Sequence, residues 1–187
     1  MTRSEALELV NSWTKNKNLV KHMLAVEAQM KALAKHFKED EELWGLVGLL
    51  HDADYEQFQD QPNKHPSLIL DELKKRDVDP IIIEAIASHA WGSKEGAPLP
   101  KSLLEWSLYI CDDLSGLIIA SALVQPDKKL ASVTTESVLK KFKSTSFARG
   151  ADRGKISFCQ KRLNIPLEEF VSICLSALQS ISSDLGL

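Results

Sequence analysis

The sequence predicts an all-α fold in one domain of 187 residues. Apolar residues recur three or four positions apart, as they do on one face of an α-helix, at Leu19, Met23, Val26 and Met30. No stretch alternates apolar and polar residues over enough positions to favour a strand. No internal repeat or linker divides the chain, and its length fits one domain better than two.

The helices of the first half are predicted from their starting residues and apolar spacing. Thr2 begins the first helix with a capping-box pattern. The second helix is predicted over residues 19–37 and the third over about 40–55. After a polar loop, the fourth is predicted over about 65–76, because the proline near its start is well placed in a first turn.

The second half continues in the same way. Asp79 and Pro80 begin a fifth helix, and the glycine and proline residues between 92 and 100 mark a loop. A long sixth helix and three shorter ones are predicted at about 101–124, 135–143, 152–163 and 166–183.

Composition disfavours a broad polyanion-binding or membrane-binding surface and leaves room for a small basic pocket. The chain is 44% apolar and 26% charged, with a net charge of −3, which is ordinary for a globular protein. This balance indicates neither a broad nucleic-acid surface nor a membrane surface. The apolar stretch 103–124 is interrupted by acidic residues and is a poor membrane span.

Cysteine usage and the N-terminus favour a reducing compartment. The three cysteines are odd in number and form no CxxC pair, so we interpret them as core thiols: Cys111, Cys159 and Cys174. The N-terminus lacks the basic-then-apolar order of a signal peptide. We expect a cytoplasmic protein.

Several polar residues lie where a helix is otherwise apolar. His51 and Asp52 follow an eight-residue apolar run, and burying an unpaired carboxylate there is costly. Asp112 and Asp113 interrupt the sixth helix and point about 100° apart, so that one can face inward. Each residue alone also fits an exposed or capping role.

Three more histidines lie at helix ends or within helices, at positions 22, 65 and 89. Imidazole and carboxylate together suit divalent ions. No cysteine joins the set, which favours a catalytic site with open positions over a closed structural zinc site.

The order of these residues resembles the HD superfamily of metal-dependent phosphohydrolases, whose members are all-helical. The resemblance is to small HD-domain hydrolases, and it rests on His22, His51–Asp52, His65, His89 and Asp112. It covers about residues 19–125, and helices in 126–187 are expected to pack on that core. The His51–Asp52 pair continues as Ala53–Asp54–Tyr55, unlike the Ile-Gly of many relatives. The sequence also lacks the further motif residues of the second-messenger phosphodiesterases in this superfamily, which disfavours a cyclic-dinucleotide substrate.

The resemblance implies a dinuclear metal site with an assigned role for each ligand. Its first ion is held by His22, His51, Asp52 and Asp112, with Asp112 preferred over Asp113. The second ion is held by His65 and His89, and Asp52 bridges the two ions. One or two divalent ions are expected per chain, with Mn, Fe, Zn, Mg, Ni and Co equally compatible.

The implied activity is hydrolysis of a nucleotide or another small phosphate ester by metal-activated water, since a metal lowers the pKa of bound water to about 7. Asp52 would position the water, and Asp113 or Asp54 would orient the histidines or handle protons. Lys94 lies in a glycine-containing loop and is a candidate for binding the substrate phosphate. Other candidate cations are Lys64, Arg149 and Arg153.

Two alternatives remain at this level. Some HD-fold proteins with the same ligand order are di-iron oxygenases, and ligand type does not separate the two chemistries. A non-catalytic domain that senses a metal or a nucleotide is the other. The expected partner is a small phosphorylated substrate, with no nucleic-acid polymer and no membrane, and the oligomeric state is left open.

Overall fold

The computed structural model describes every residue from Met1 to Leu187 and contains ten α-helices and no strand. The all-α prediction is confirmed. The helices are α1 Arg3–Trp13, α2 Lys17–Phe37, α3 Glu41–Leu50, α4 Ser67–Lys75, α5 Pro80–His89, α6 Leu103–Leu123, α7 Thr135–Phe142, α8 Arg153–Ile156, α9 Leu167–Ser180 and α10 Ser182–Leu185. The predicted capping box is present at Thr2, whose side chain accepts from the backbone N–H of Glu5.

Helix α3 ends at Leu50, five residues before its predicted end. The next residues turn more tightly, and Tyr55 N–H donates to the carbonyl of Asp52 three residues earlier. The Asp54 carboxylate accepts the backbone N–H groups of Leu68 and Ile69 at the start of α4. This contact draws the chain towards α4 and ends α3.

The helix predicted over 152–163 is also interrupted. Only Arg153–Ile156 form α8, and Cys159–Leu163 wind as a π-helix. The break falls at Ser157, whose hydroxyl donates to the carbonyl of Arg153 four residues earlier, a contact that often bends helices. The last predicted helix likewise divides, after Ser180, into α9 and α10.

Close packing of α3 on α2 positions the first part of the site. A Cβ atom at Gly48 would lie 2.8 Å from the carbonyl oxygen of Val26, so only glycine allows the two helices to approach this closely. His51 lies one turn after Gly48, and His22 lies one turn before Val26. The contact therefore brings these two histidines together.

One apolar core joins the N-terminal and C-terminal helices. It contains 45 buried residues, including Met30 from α2, Leu114 from α6 and Phe170 from α9. Helix α6 is long and apolar enough to cross a membrane, but 67% of its most apolar stretch is buried inside the protein, as in the core helix of a soluble protein.

Candidate metal centre

Six side chains from five parts of the chain converge at one end of α3. They form two groups, and within each group the potential ligand atoms lie within 4.8 Å of one another. The first group is His22, His51 and Asp112, and the second is Asp52, His65 and His89. These are the six residues that the sequence singles out, although 90 positions separate the first from the last.

The Asp52 carboxylate lies between the two groups. Its Oδ2 atom is 3.6 Å from Nε2 of His22 and 3.5 Å from Nε2 of His51. Its Oδ1 atom is 3.1 Å from Nε2 of His65 and 3.6 Å from Nε2 of His89. One oxygen thus faces each group, which is the arrangement that a bridging carboxylate requires.

Two of the four histidines are oriented by backbone carbonyls. Nδ1 of His51 lies 2.8 Å from the carbonyl of Gly48, and Nδ1 of His89 lies 2.5 Å from that of Ile86. A carbonyl only accepts, so Nδ1 carries the proton in both rings. In the neutral rings the lone pair is therefore on Nε2, which points into the centre.

In the other two histidines, Nδ1 is also protonated, but its hydrogen-bond partner is a side chain. Nδ1 of His65 donates to Oδ1 of Asp54 over 2.6 Å. Ser115 donates its hydroxyl proton to the carbonyl of Asp112, so its oxygen accepts from Nδ1 of His22 over 3.0 Å. In its neutral form, each of the four rings thus presents an Nε2 lone pair that can bind a metal. Partners of this kind usually fix the tautomer of a metal-binding histidine.

Unpaired atoms at the centre show that these residues fit a cation. Nε2 of His51 is fully buried and has no hydrogen-bond partner. Nε2 of His65 lies 2.9 Å from Nε2 of His89, where two lone pairs would repel one another without a proton or a cation. Nitrogen and oxygen donors in this mixture suit zinc, iron, manganese and similar divalent ions.

Electrostatics of the centre also favour positive charge. Burial opposes charge on His51, but Asp52 and Asp112 outweigh it and raise the pKa of His51 to about 9. Burial likewise opposes charge on His65, whose pKa is raised to about 9 by Asp52 and Asp54. Although burial opposes their ionisation, the histidines lower the pKa of both Asp52 and Asp112 well below the usual range. The carboxylates therefore stay ionised at neutral pH.

His89 is different from the other two shifted histidines. Burial lowers the pKa of this residue, and the neighbouring His51 and His65 oppose charge on it as well. Its ring is therefore neutral, the form in which imidazole binds a metal.

The centre opens into a cavity of about 470 Å³. Asp112 and Asp113 point to different sides of it, as two adjacent helical residues must. Asp112 Oδ1 lies 3.0 Å from Nε2 of His22. Asp113 accepts the backbone N–H of Asp152 over 2.7 Å, and burial together with Asp112 raises the pKa of Asp113. Asp113 thus contacts the C-terminal segment.

The cations considered from the sequence lie away from the ligand cluster. Lys94 does not line the cavity, and its ammonium donates to the carbonyl of Lys64 over 3.3 Å. Arg153 donates to backbone carbonyls, including that of Ala148 at 2.6 Å. Arg149 lines a separate surface depression. None of the four meets the ligand cluster.

Sequence reasoning missed two residues that shape the site. Ser115 lies one turn after Asp112, and this spacing is the only signal that could have indicated its contact with His22. Lys155 lines the cavity from α8, and no pattern in the sequence links it to residues some forty positions earlier.

Comparison with known proteins gives one match. The HD domain family model matches residues 19–117, a little over half of the chain and nearly the core expected from the motif order. No curated protein and no solved structure matches the chain. All six convergent side chains lie within the matched residues. The chain therefore belongs to the HD domain family, a superfamily of metal-dependent hydrolases.

Proposed function

We propose that the protein is a metal-dependent phosphohydrolase that acts on a nucleotide or another small phosphate ester. The observation that carries the proposal is the position of Asp52, whose two oxygens face separate groups of histidines. A pair of ions held in this way would be suited to a tetrahedral phosphoryl group, which offers several oxygens at once.

The residues that would hold the ions divide in the same way. His22, His51 and Asp112 would hold one ion, His65 and His89 the other, and Asp52 would belong to both. Bound divalent ions supply Lewis-acid polarisation of a phosphoryl oxygen and a water of lowered pKa. Such help matters for phosphate esters because their negative charge repels a nucleophile.

The chain itself would bind and orient the substrate. The cavity of about 470 Å³ lies within the range of roughly 300–1,000 Å³ typical of small-ligand sites and has room for a nucleotide. Asp52 and Asp112 keep their negative charge and so bias the centre towards cations. The polar partners on each Nδ1 hold the imidazoles in one tautomer before any ligand arrives.

The same proposal includes a cytoplasmic location, with a small phosphorylated molecule as the partner and neither a nucleic-acid polymer nor a membrane. The three cysteines are free and buried, which suits a reducing compartment. The net charge of −3 does not favour a polyanionic partner.

The test is phosphate release from a panel of nucleotides and small phosphate esters, with added Mn, Co, Ni, Mg, Fe or Zn. Activity is expected to vanish with a chelator and to return with metal. Asp52→Ala is expected to lower it by about 1,000-fold or more, since the carboxylate serves both metal positions. Asp60→Ala, which removes an exposed carboxylate in the loop before α4, is the matched control.

Circular dichroism would verify that both variants fold. Hydrolysis by folded Asp52→Ala at the wild-type rate, or activity that survives thorough chelation, would refute the proposal. Oxygen consumption without phosphate release would identify a di-iron oxygenase. Metal binding without either reaction would indicate a sensor domain.

A further inference from the structure

The C-terminal segment contributes one charged side chain to the wall of the cavity. Lys155 lies in α8, well outside the family-matched residues 19–117. Fourteen residues line the cavity, and Lys155 is the only lysine or arginine among them. Apart from the histidines of the metal centre, Lys155 is therefore the only cationic side chain that the protein offers to a ligand there.

The ammonium of Lys155 is held in place from two sides. Nζ lies 3.4 Å from Oδ2 of Asp113 and 4.9 Å from the ring centre of Tyr109. An ammonium has three N–H donors, and Asp113 is the only carboxylate paired with it. Donors therefore remain for a ligand in the cavity. The side chain is 24% exposed, so a ligand has access to it.

The backbone around Lys155 is also held in place by hydrogen bonds. The Arg153 guanidinium donates to the carbonyls of Phe147, Ala148 and Ala151 and closes the segment on itself. Asp113 holds the same segment through the backbone N–H of Asp152. Ala148, Gly150 and Ala151 of this segment line the cavity together with the lysine. These contacts fix the backbone of Lys155, so the position of its ammonium does not depend on the flexible side chain alone.

The charges of the cavity indicate the class of ligand. Asp52, Asp112 and Asp113 line it, and three carboxylates would repel a phosphorylated substrate. Cations at the metal centre would offset Asp52 and Asp112, whereas Lys155 offsets Asp113. Burial opposes the charge of Lys155, but Asp113 outweighs it and raises the pKa of the ammonium, which stays charged at neutral pH.

We propose that Lys155 binds a phosphate oxygen of the substrate, and that Asp113 and Tyr109 hold it ready to do so. The proposal rests on the proposed function, because it names a substrate-binding residue for the same cavity. The C-terminal segment would then contribute to the specificity of the cavity for anionic substrates. Asp113 then acts as a positioning residue that works through Lys155.

The test uses the full-length, manganese-loaded protein and inorganic phosphate as the probe. Phosphate binding is measured by calorimetry for wild type, Lys155→Met and Lys155→Arg. Methionine keeps a similar stem against Tyr109 without the charge, and arginine keeps the charge. The matched control is Lys161→Met, which removes an exposed lysine in the π-helix that follows α8.

Lys155→Met is expected to weaken phosphate binding by about 10–100-fold, the effect of losing one charge-assisted hydrogen bond. Lys155→Arg should stay within about tenfold of wild type, and Lys161→Met should match wild type. Metal content and thermal unfolding should be unchanged in all three variants, which separates ligand binding from a structural role. With a hydrolysed ester, Lys155→Met should raise KM more than it lowers kcat.

Unchanged phosphate binding by Lys155→Met would overturn the proposal. Equal losses in Lys155→Met and Lys155→Arg would also overturn it, because the charge would not be the cause. Failure of the proposed function gives a different result: phosphate binding would depend on Lys155 while no phosphate ester was hydrolysed. Hydrolysis with wild-type KM and wild-type phosphate binding in Lys155→Met would retain the phosphohydrolase and remove only the role of Lys155.

Discussion

The orientation of the His65 ring depends on the buried carboxylate of Asp54, and Asp54→Asn tests this dependence. Asp54 is fully buried. Its Oδ1 atom lies 2.6 Å from Nδ1 of His65, and its Oδ2 atom accepts the N–H groups of Leu68 at 2.9 Å and Ile69 at 3.1 Å. Asparagine keeps the shape of the side chain but replaces one of these acceptors with a donor.

The proton on His65 is expected to move as a result. Two backbone N–H groups need an acceptor, so the remaining oxygen of asparagine should face Leu68 and Ile69. The amide NH₂ group then faces Nδ1 of His65, which must accept. The neutral ring carries its proton on Nε2 instead, and a protonated nitrogen cannot bind a metal.

The magnitude follows from the contacts that change. Loss of the partner that orients a metal-binding histidine lowers metal affinity by about 10–100-fold, which corresponds to about 1.4–2.7 kcal/mol. Asp54 contacts none of the ligands in the group of His22, His51 and Asp112. The loss should therefore fall on one of the two metal-binding events.

The assay is a manganese titration of chelator-stripped protein by calorimetry, with circular dichroism as the folding control. Asp60→Asn, in the exposed loop before α4, should bind as wild type does. In Asp54→Asn, one binding event should weaken by 10–100-fold while the other stays within about threefold. Two events with unchanged affinities would refute the reasoning about the tautomer. Equal weakening of both would show that Asp54 acts on the fold and not on His65.

Three further predictions concern pH, packing and metal content. The pKa values of His51 and His65 are about 9 in the folded protein, against 6.5 ordinarily. The protonated histidines therefore stabilise the metal-free fold at low pH, and its free energy of unfolding should fall by up to about 3 kcal/mol per histidine as pH rises from 6.5 to 9. A melting temperature that rises over this interval would contradict this sign. Gly48→Ala should lower the free energy of unfolding by about 1–3 kcal/mol, since its Cβ would meet the carbonyl of Val26 at 2.8 Å. Gly116→Ala is the control, because its added Cβ would meet no atom within 4 Å, and it should raise the free energy of unfolding by up to about 1 kcal/mol. Both values are measured by urea unfolding, and equal effects of the two substitutions would contradict the packing argument. His65→Ala should lower metal content towards one ion per chain by elemental analysis, and full occupancy would remove His65 from the second site.

Local patterns were sufficient to predict the helices and the residues that converge. Apolar spacing, the cap at Thr2 and the proline at 80 each act within a few residues, so they can be recognised without a structure. The six polar residues were recognisable for a related reason. Histidine and aspartate are costly inside an apolar helix such as α3 or α6, and a shared cation removes that cost.

One predicted boundary failed because a distant contact sets it. Helix α3 was expected to reach residue 55, but Asp54 binds the backbone at the start of α4 and the chain turns at Leu50. The spacing around Asp54 carries no sign of this contact, because its partners lie more than ten residues further along the chain.

Only the packing of the helices decides what each polar atom faces. Periodicity shows that Asp112 and Asp113 diverge, but the approach of α2 on one side and α8 on the other sends the first to His22 and the second to Lys155. The same packing brings Lys155 into the cavity and leaves Lys94 outside it. Side-chain spacing along a helix is a local property, whereas the distance between residues forty positions apart depends on how whole helices pack together.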